Sequence, residues 1–249
     1  MRIIGRIDIK NEYVIKGIHL EGLRKLGNPN SFAVKYFSDG IDEIIFHDSV
    51  ASLYERNNIF NVIEKACQEI FIPIIISGGI RTLNDIENAL KSGADKVAIN
   101  TQAVKTPKFI SEAARTFGSQ CIVGAIDCKQ NNNKWEVLTE NGRESTGLDA
   151  VEWAYKLQEL GIGELMLTSV DMEGTKKGFD ILITEKISKK LKIPVIASGG
   201  AGNKNHLLEL SKSSEVTGIA IASLIHYNLD TVSNIKRELS LNNVDIRLL

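Results

Sequence analysis

Apolar runs and amphipathic stretches alternate along the whole chain, and their lengths separate strands from helices. Strands are predicted at Arg2–Asp8, Glu43–Phe46, Ile72–Ile76, Lys96–Ile99, the run through Val123 that ends at Asp127, Glu164–Leu167, Pro194–Ala197 and Val216–Ile221. Helices are predicted at residues 31–38, 59–70, from the capping residue Thr82 to Lys91, 106–117, 149–160, 181–191, 204–211 and 229–239. Parallel strands joined by helices require right-handed crossovers, and eight such units of this length close a sheet. The fold class is therefore α/β, a single (β/α)8 TIM barrel over residues 1–249. A doubly wound open sheet is the alternative, which the even strand count and the length disfavour.

Two segments break the rhythm. Residues 11–30 are polar and hold Lys16, Gly17, Gly22, Gly27 and Pro29, so they are expected to form a long functional loop or lid. Asn131-Asn132-Asn133 and Asn141-Gly142 bracket Trp135–Leu138, which predicts a small hairpin insertion. An internal repeat runs through the rest. Ser77-Gly78-Gly79 returns as Ser198-Gly199-Gly200, residues 42–46 match 163–167, and 96–99 match 218–221. Offsets near half the chain predict two half-barrels, at about 1–120 and 121–249, related by a pseudo-twofold axis.

The chemistry follows from the strand ends, because barrels of this type carry their active sites on the carboxyl side. Asp8 and Asp127 end equivalent strands, and paired carboxylates can divide acid and base roles. Read alone, each is also a plain turn former. Gly78 and Gly79 with Asn100 and Thr101 would make one cradle for an anion. Gly199 and Gly200 with Gly174, Ala222 and Ser223 would make a second, suiting a substrate with a phosphate at each end. At the opposite rim Arg2, Glu43, Lys96 and Glu164 stand at strand starts, where mixed charges can close the floor by pairing.

Composition narrows the field. The 249 residues are 43% apolar and 24% charged with a net charge of −1, so no nucleic-acid or membrane-surface field is implied. No apolar run reaches spanning length and no signal-peptide pattern opens the chain, so a cytoplasmic protein is expected. The three cysteines lack metal or disulfide spacing, and the four histidines are scattered, so no metal is expected.

Together these residues resemble the cyclase subunit of imidazole glycerol phosphate synthase, over nearly the whole chain. The most specific stretches are 117–123, Ala125-Ile126-Asp127, Leu167-Thr168-Ser169, 174–180 and 196–202. The resemblance implies a cyclase of histidine biosynthesis, a lyase. Ammonia would come from a glutaminase docked at the floor and pass up the barrel to a bisphosphorylated ribulosyl aminoimidazole carboxamide nucleotide. No cofactor is implied. Asp8 and Asp127 would be catalytic. Lys16 would be the mobile-loop lysine, and Asp48, Thr168 and Glu173 would join the two cradles in binding substrate. Arg2, Glu43, Lys96 and Glu164 would form the ammonia gate, and Asp95 would face the glutaminase.

The chain also departs from the family pattern. Arg6 replaces a usual cysteine, Ser77 a glycine, Glu173 an aspartate and His47 an apolar residue, and residues 17–27 differ from the usual loop. Arg6 shares a strand face with Asp8, so its guanidinium is expected to pair with Asp8 and lower its pKa, or to bind an anion. Two alternatives stay open on these grounds. One is an ammonia-channelling paralogue in surface-sugar or other specialised biosynthesis. The other is a non-catalytic barrel that docks to a glutaminase and activates it.

Overall fold

The computed structural model describes residues 1–51, 59–132 and 134–248. Eight parallel strands close into a barrel: β1 (Arg2–Lys10), β4 (Glu43–Asp48), β5 (Ile74–Ser77), β6 (Lys96–Ile99), β7 (Ile122–Asn131), β10 (Glu164–Ser169), β11 (Val195–Ser198) and β12 (Gly218–Ile221). Pairing of β12 with β1, Arg2 opposite Gly218, shuts the sheet. The strands are apolar on both faces because both are covered, as parallel sheets require. Inside the barrel, Ile4, Ile45, Ile75, Ala98, Val123, Ala125, Met166, Ile196 and Ala220 form one packed layer. Outside it, a larger core joins the strands to the helices, with Ile3, Ile7, Tyr36, Phe46 and Trp153 among its members.

Local chemistry sets the helix ends. In α1 (Pro29–Ser38), Asn28 caps the first turn and proline occupies the position where its missing N–H costs nothing. In α3 (Leu83–Lys91), Thr82 and Asp85 exchange side-chain and backbone hydrogen bonds as a capping box. Asp149 caps α6 (Ala150–Leu160), which ends on Gly161 in the left-handed conformation. The remaining long helices are α2 (Phe60–Ala66), α5 (Lys108–Phe117), α7 (Ile181–Ser188), α8 (Lys204–Ser213) and α10 (Val232–Leu241). Expected bounds shrink at several ends: the helix predicted at 59–70 covers Phe60–Ala66, and the last begins at Val232 behind its cap Thr231. Among the described residues, no helix is long and apolar enough to cross a membrane.

The expected loop at 11–30 is instead an antiparallel hairpin, β2 (Tyr13–Ile18) and β3 (Glu21–Gly27), that continues from the end of β1. Its register shifts on either side of Ile15-Lys16 disturb the two-residue alternation that would have marked it as strands. The insertion after β7 likewise becomes β8 (Lys134–Thr139) and β9 (Glu144–Asp149), so the expected hairpin gains a strand. Asn133, one of the turn asparagines, lies outside the described residues. The first strand of each predicted half thus overshoots the barrel rim and folds back as an antiparallel ribbon over the mouth. Two very short helices, α4 (Thr101–Lys105) and α9 (Ser223–His226), also follow β6 and β12 at matching places.

Candidate active site at the barrel mouth

Along β1 the side chains of Arg2, Ile4, Arg6 and Asp8 point inward in turn, from floor to mouth. At the floor, Arg2 bonds Glu43 and Glu164, and Lys96 Nζ lies 2.8 Å from both Glu43 Oε1 and Glu164 Oε2. The predicted set therefore closes as a ring in which each acid is shared by both cations. Burial opposes the charge on Arg2 and Lys96, but the two carboxylates outweigh it and hold both cations more basic than usual. Asp95 is exposed beside this ring, and its carboxylate also accepts from the Ile74 backbone N–H at 2.8 Å. Its nearness to the floor and its structural bond are both explained by the strand-start turn it occupies.

At the mouth, Arg6 is 3% exposed and its Nε donates to Asp8 Oδ1 at 2.8 Å. Its Nη1 donates to Thr168 Oγ1 and Ser198 Oγ, at 3.1 and 3.2 Å. The guanidinium thus reaches from β1 to β10 and β11, above the apolar layer. Lys16, on the hairpin, is buried between Asp8 Oδ2 at 3.6 Å and Glu173, which it contacts directly. Glu173 also accepts from the Leu20 N–H at 2.9 Å, so it clamps the hairpin tip. Burial would raise the Asp8 pKa, but Arg6, then Lys16 and His47, overcome it and hold the carboxyl well below the usual carboxylate range. Burial pulls Lys16 the other way, below an ordinary lysine. The expected Arg6–Asp8 pairing and the fall in the Asp8 pKa are both present.

Asp127 has a different setting. Its Oδ2 accepts from Asn100 Nδ2 at 2.9 Å, and the same amide donates to Leu138 O at 3.0 Å. The amide orientation is fixed by these two acceptors, which leaves buried Asn100 Oδ1, beside the aspartate, without a partner among the described residues. Asp127 and Asp8 lie at the same rim, and both act on the charge of Arg6. His47 bridges Ser77 Oγ at 2.9 Å and Asn141 Oδ1 at 3.0 Å, so two departures from the family pattern are partners of each other.

The two predicted cradles are two separate cavities. The first, about 100 Å³, is lined by Asp48, Gly78, Gly79, Asn100, Thr101 and Asp127, with Arg81 and Lys105 among its cations. The second, about 20 Å³, is lined by Arg6, Lys16, Glu173, Gly174, Gly199, Gly200, Ala222 and Ser223. Asn100 (φ −112°, ψ −81°) and Ala222 (φ −132°, ψ −77°) share one unusual backbone conformation at their strand ends. Gly78 and Gly200 have φ of 92° and 108°, and a Cβ on them would strike Asp48 O at 2.3 Å or Gly178 O at 1.8 Å. Gly174 lets the hairpin pack closely: a Cβ there would meet Gly17 O at 2.4 Å. Thr168 lies outside both cavities and orients Arg6 instead. Sequence reasoning missed Asn141, read only as a turn residue, although its φ of 59° places it over the first cavity as the partner of His47.

It also missed a buried pair under the mouth. Tyr36 and His226 share a hydrogen bond and stack, and among the described residues His226 Nε2 has no partner. Burial pushes the His226 pKa down to about 3. A base held neutral in the fold but free to protonate when unfolded costs stability as pH falls below its unfolded pKa. Between about pH 7 and pH 5 the loss is about 2 kcal/mol for an unfolded pKa near 6.5. Urea unfolding of His226→Gln should show that much less pH dependence over this interval than the parent chain.

Among the described residues no group of three or more His, Cys, Asp or Glu could hold a metal ion. A closed barrel with ringed charges at its floor, and with two acids and two glycine-lined cavities at its mouth, is the setting of a small-molecule enzyme of the (β/α)8 class. A profile described as histidine biosynthesis protein matches residues 2–231. The chain is 53% identical over 203 residues to imidazole glycerol phosphate synthase subunit HisF of Legionella pneumophila, covering 81% of this chain and 96% of that protein. It is 46% identical over 248 residues to the HisF subunit of Bacillus cereus (strain AH187), and 48% identical over 248 residues to that of Hydrogenobaculum sp. (strain Y04AAS1). Each match covers 99% of this chain and 98% of the relative. The chain belongs to the HisF family, the cyclase subunits of imidazole glycerol phosphate synthase.

Proposed function

We propose that this chain acts as a lyase. It would use ammonia to convert a bisphosphorylated ribulosyl aminoimidazole carboxamide nucleotide into imidazole glycerol phosphate and aminoimidazole carboxamide ribotide. The observation that carries this reading is that two glycine-lined cavities open at one rim, the first lined by Asp127 and the second by Arg6, which is bonded to Asp8. A substrate with two terminal phosphates would span them, leaving its reacting middle over Asp8 and Asp127. Asp127, whose Oδ2 is held by the neutral Asn100 amide, would be the acid/base of the pair. Asp8, tied to two cations, stays ionised and stabilises positive charge that builds as ammonia adds. Lys16 and the hairpin it anchors would cover the site and exclude water.

A glutaminase would dock at the floor and feed ammonia through the ring of Arg2, Glu43, Lys96 and Glu164. Support for this comes from the ring's place at the opposite end of the same interior. A second reading, an ammonia-channelling paralogue in surface-sugar or other specialised biosynthesis, is favoured most directly by Arg6, because it puts a cation into the interior where the family usually has a thiol. Purified chain with an ammonium salt and the bisphosphate nucleotide should release imidazole glycerol phosphate. A well-folded chain that gives no product, tested also beside a working glutaminase, would favour the paralogue.

A further inference from the structure

We propose that Arg6 is an anion ligand of the second cavity, receiving a terminal oxyanion of the substrate directly on its guanidinium. This deepens the functional reading above, since it concerns how that site recognises its substrate. Three observations carry it. First, Arg6 lines the cavity together with Gly199, Gly200 and Ser223, which offer it no carboxylate. Second, Nε and Nη1 have fixed partners in Asp8, Thr168 and Ser198, while Nη2 has none among the described residues. A buried guanidinium with an unused donor pair at a cavity wall is built for an incoming acceptor, and its planar fork suits a phosphate or a carboxylate. Third, the two hydroxyl contacts hold the plane still without neutralising it, so its orientation is set before any ligand arrives.

The charges around the cavity are balanced rather than surplus. Glu173 also lines it, but one oxygen is engaged by Lys16 and the other by the Leu20 N–H. Asp8 shares Arg6 with the cavity from the opposite side. An arriving oxyanion would therefore compete with Asp8 for the guanidinium.

The test measures binding, so it does not depend on the cyclase reaction. The intact chain is titrated with inorganic phosphate while the arginine Nε–H signals are followed by NMR, the Arg6 signal being assigned by its loss in Arg6→Lys. The Arg6 signal should move and saturate with phosphate. Arg6→Gln should weaken that binding event by about 10–100-fold, the loss expected for a charged hydrogen bond, with Arg6→Lys between the two. A parallel titration with acetate tells a carboxylate from a phosphate source, the tighter anion naming the class. The proposal is overturned if the Arg6 signal stays fixed while the glycine amides of the cavities respond. It is equally overturned if Arg6→Gln melts cooperatively and binds both anions as the parent does. A chain without cyclase turnover that still passes the titration would reject the histidine-pathway reading and keep this one.

Discussion

Replacing Asp127 by asparagine is expected to lower ammonium-dependent turnover by about 10²–10⁴-fold while leaving the barrel folded, because proton transfer by a placed side chain is worth that much. The fold should survive because the partner of Asp127 is the uncharged amide of Asn100, which an asparagine oxygen can still accept from. Asp8→Asn is expected to behave otherwise. It strips the compensating charge from buried Arg6 and crowds it against Lys16, and breaking such a pair from one side costs about 3–5 kcal/mol. Circular dichroism melts beside steady-state rates would separate the two cases. An Asp127→Asn protein with near-parental turnover would remove Asp127 from the chemistry.

That asymmetry between two aspartates in equivalent positions shows what a sequence of this kind reveals and what it hides. The barrel was legible because parallel strands buried on both faces leave long apolar runs, and the repeat of Ser-Gly-Gly marks both halves. The site residues were legible as positions, since strand ends determine where Asp8, Asp127, Gly79 and Gly200 must lie. What was hidden is set by contacts between distant segments. The residues 11–30 read as a loop because Lys16 and Glu21 answer to Glu173 and to a shifted register, neither of which leaves a local period. Tyr36 and His226 are each ordinary helix residues until the fold stacks them. Arg6 stood out as a departure, but only the fold gives it Thr168 and Ser198 as partners, and so turns a misfit cation into an oriented one.

Replacing Glu43 by glutamine at the floor should produce the second large effect. Glu43 is 1% exposed and bonded to both Arg2 and Lys96, whose side chains are 31% and 21% exposed. After the change two cations share one carboxylate, Glu164. A fully buried pair would lose about 3–5 kcal/mol, and the partial exposure of both cations discounts this to about 2–3 kcal/mol. Urea unfolding measures that cost. The kinetic consequence differs by nitrogen source. Ammonium from solution can reach the mouth directly, so turnover on it should change little. If ammonia from a docked glutaminase passes the ring, as proposed above, turnover on glutamine should fall by at least about tenfold when the displaced cations block or leak the path, since a shift of about 1.4 kcal/mol in that barrier suffices. Equal losses on both sources would mean that the ring is a structural belt and that ammonia takes another route.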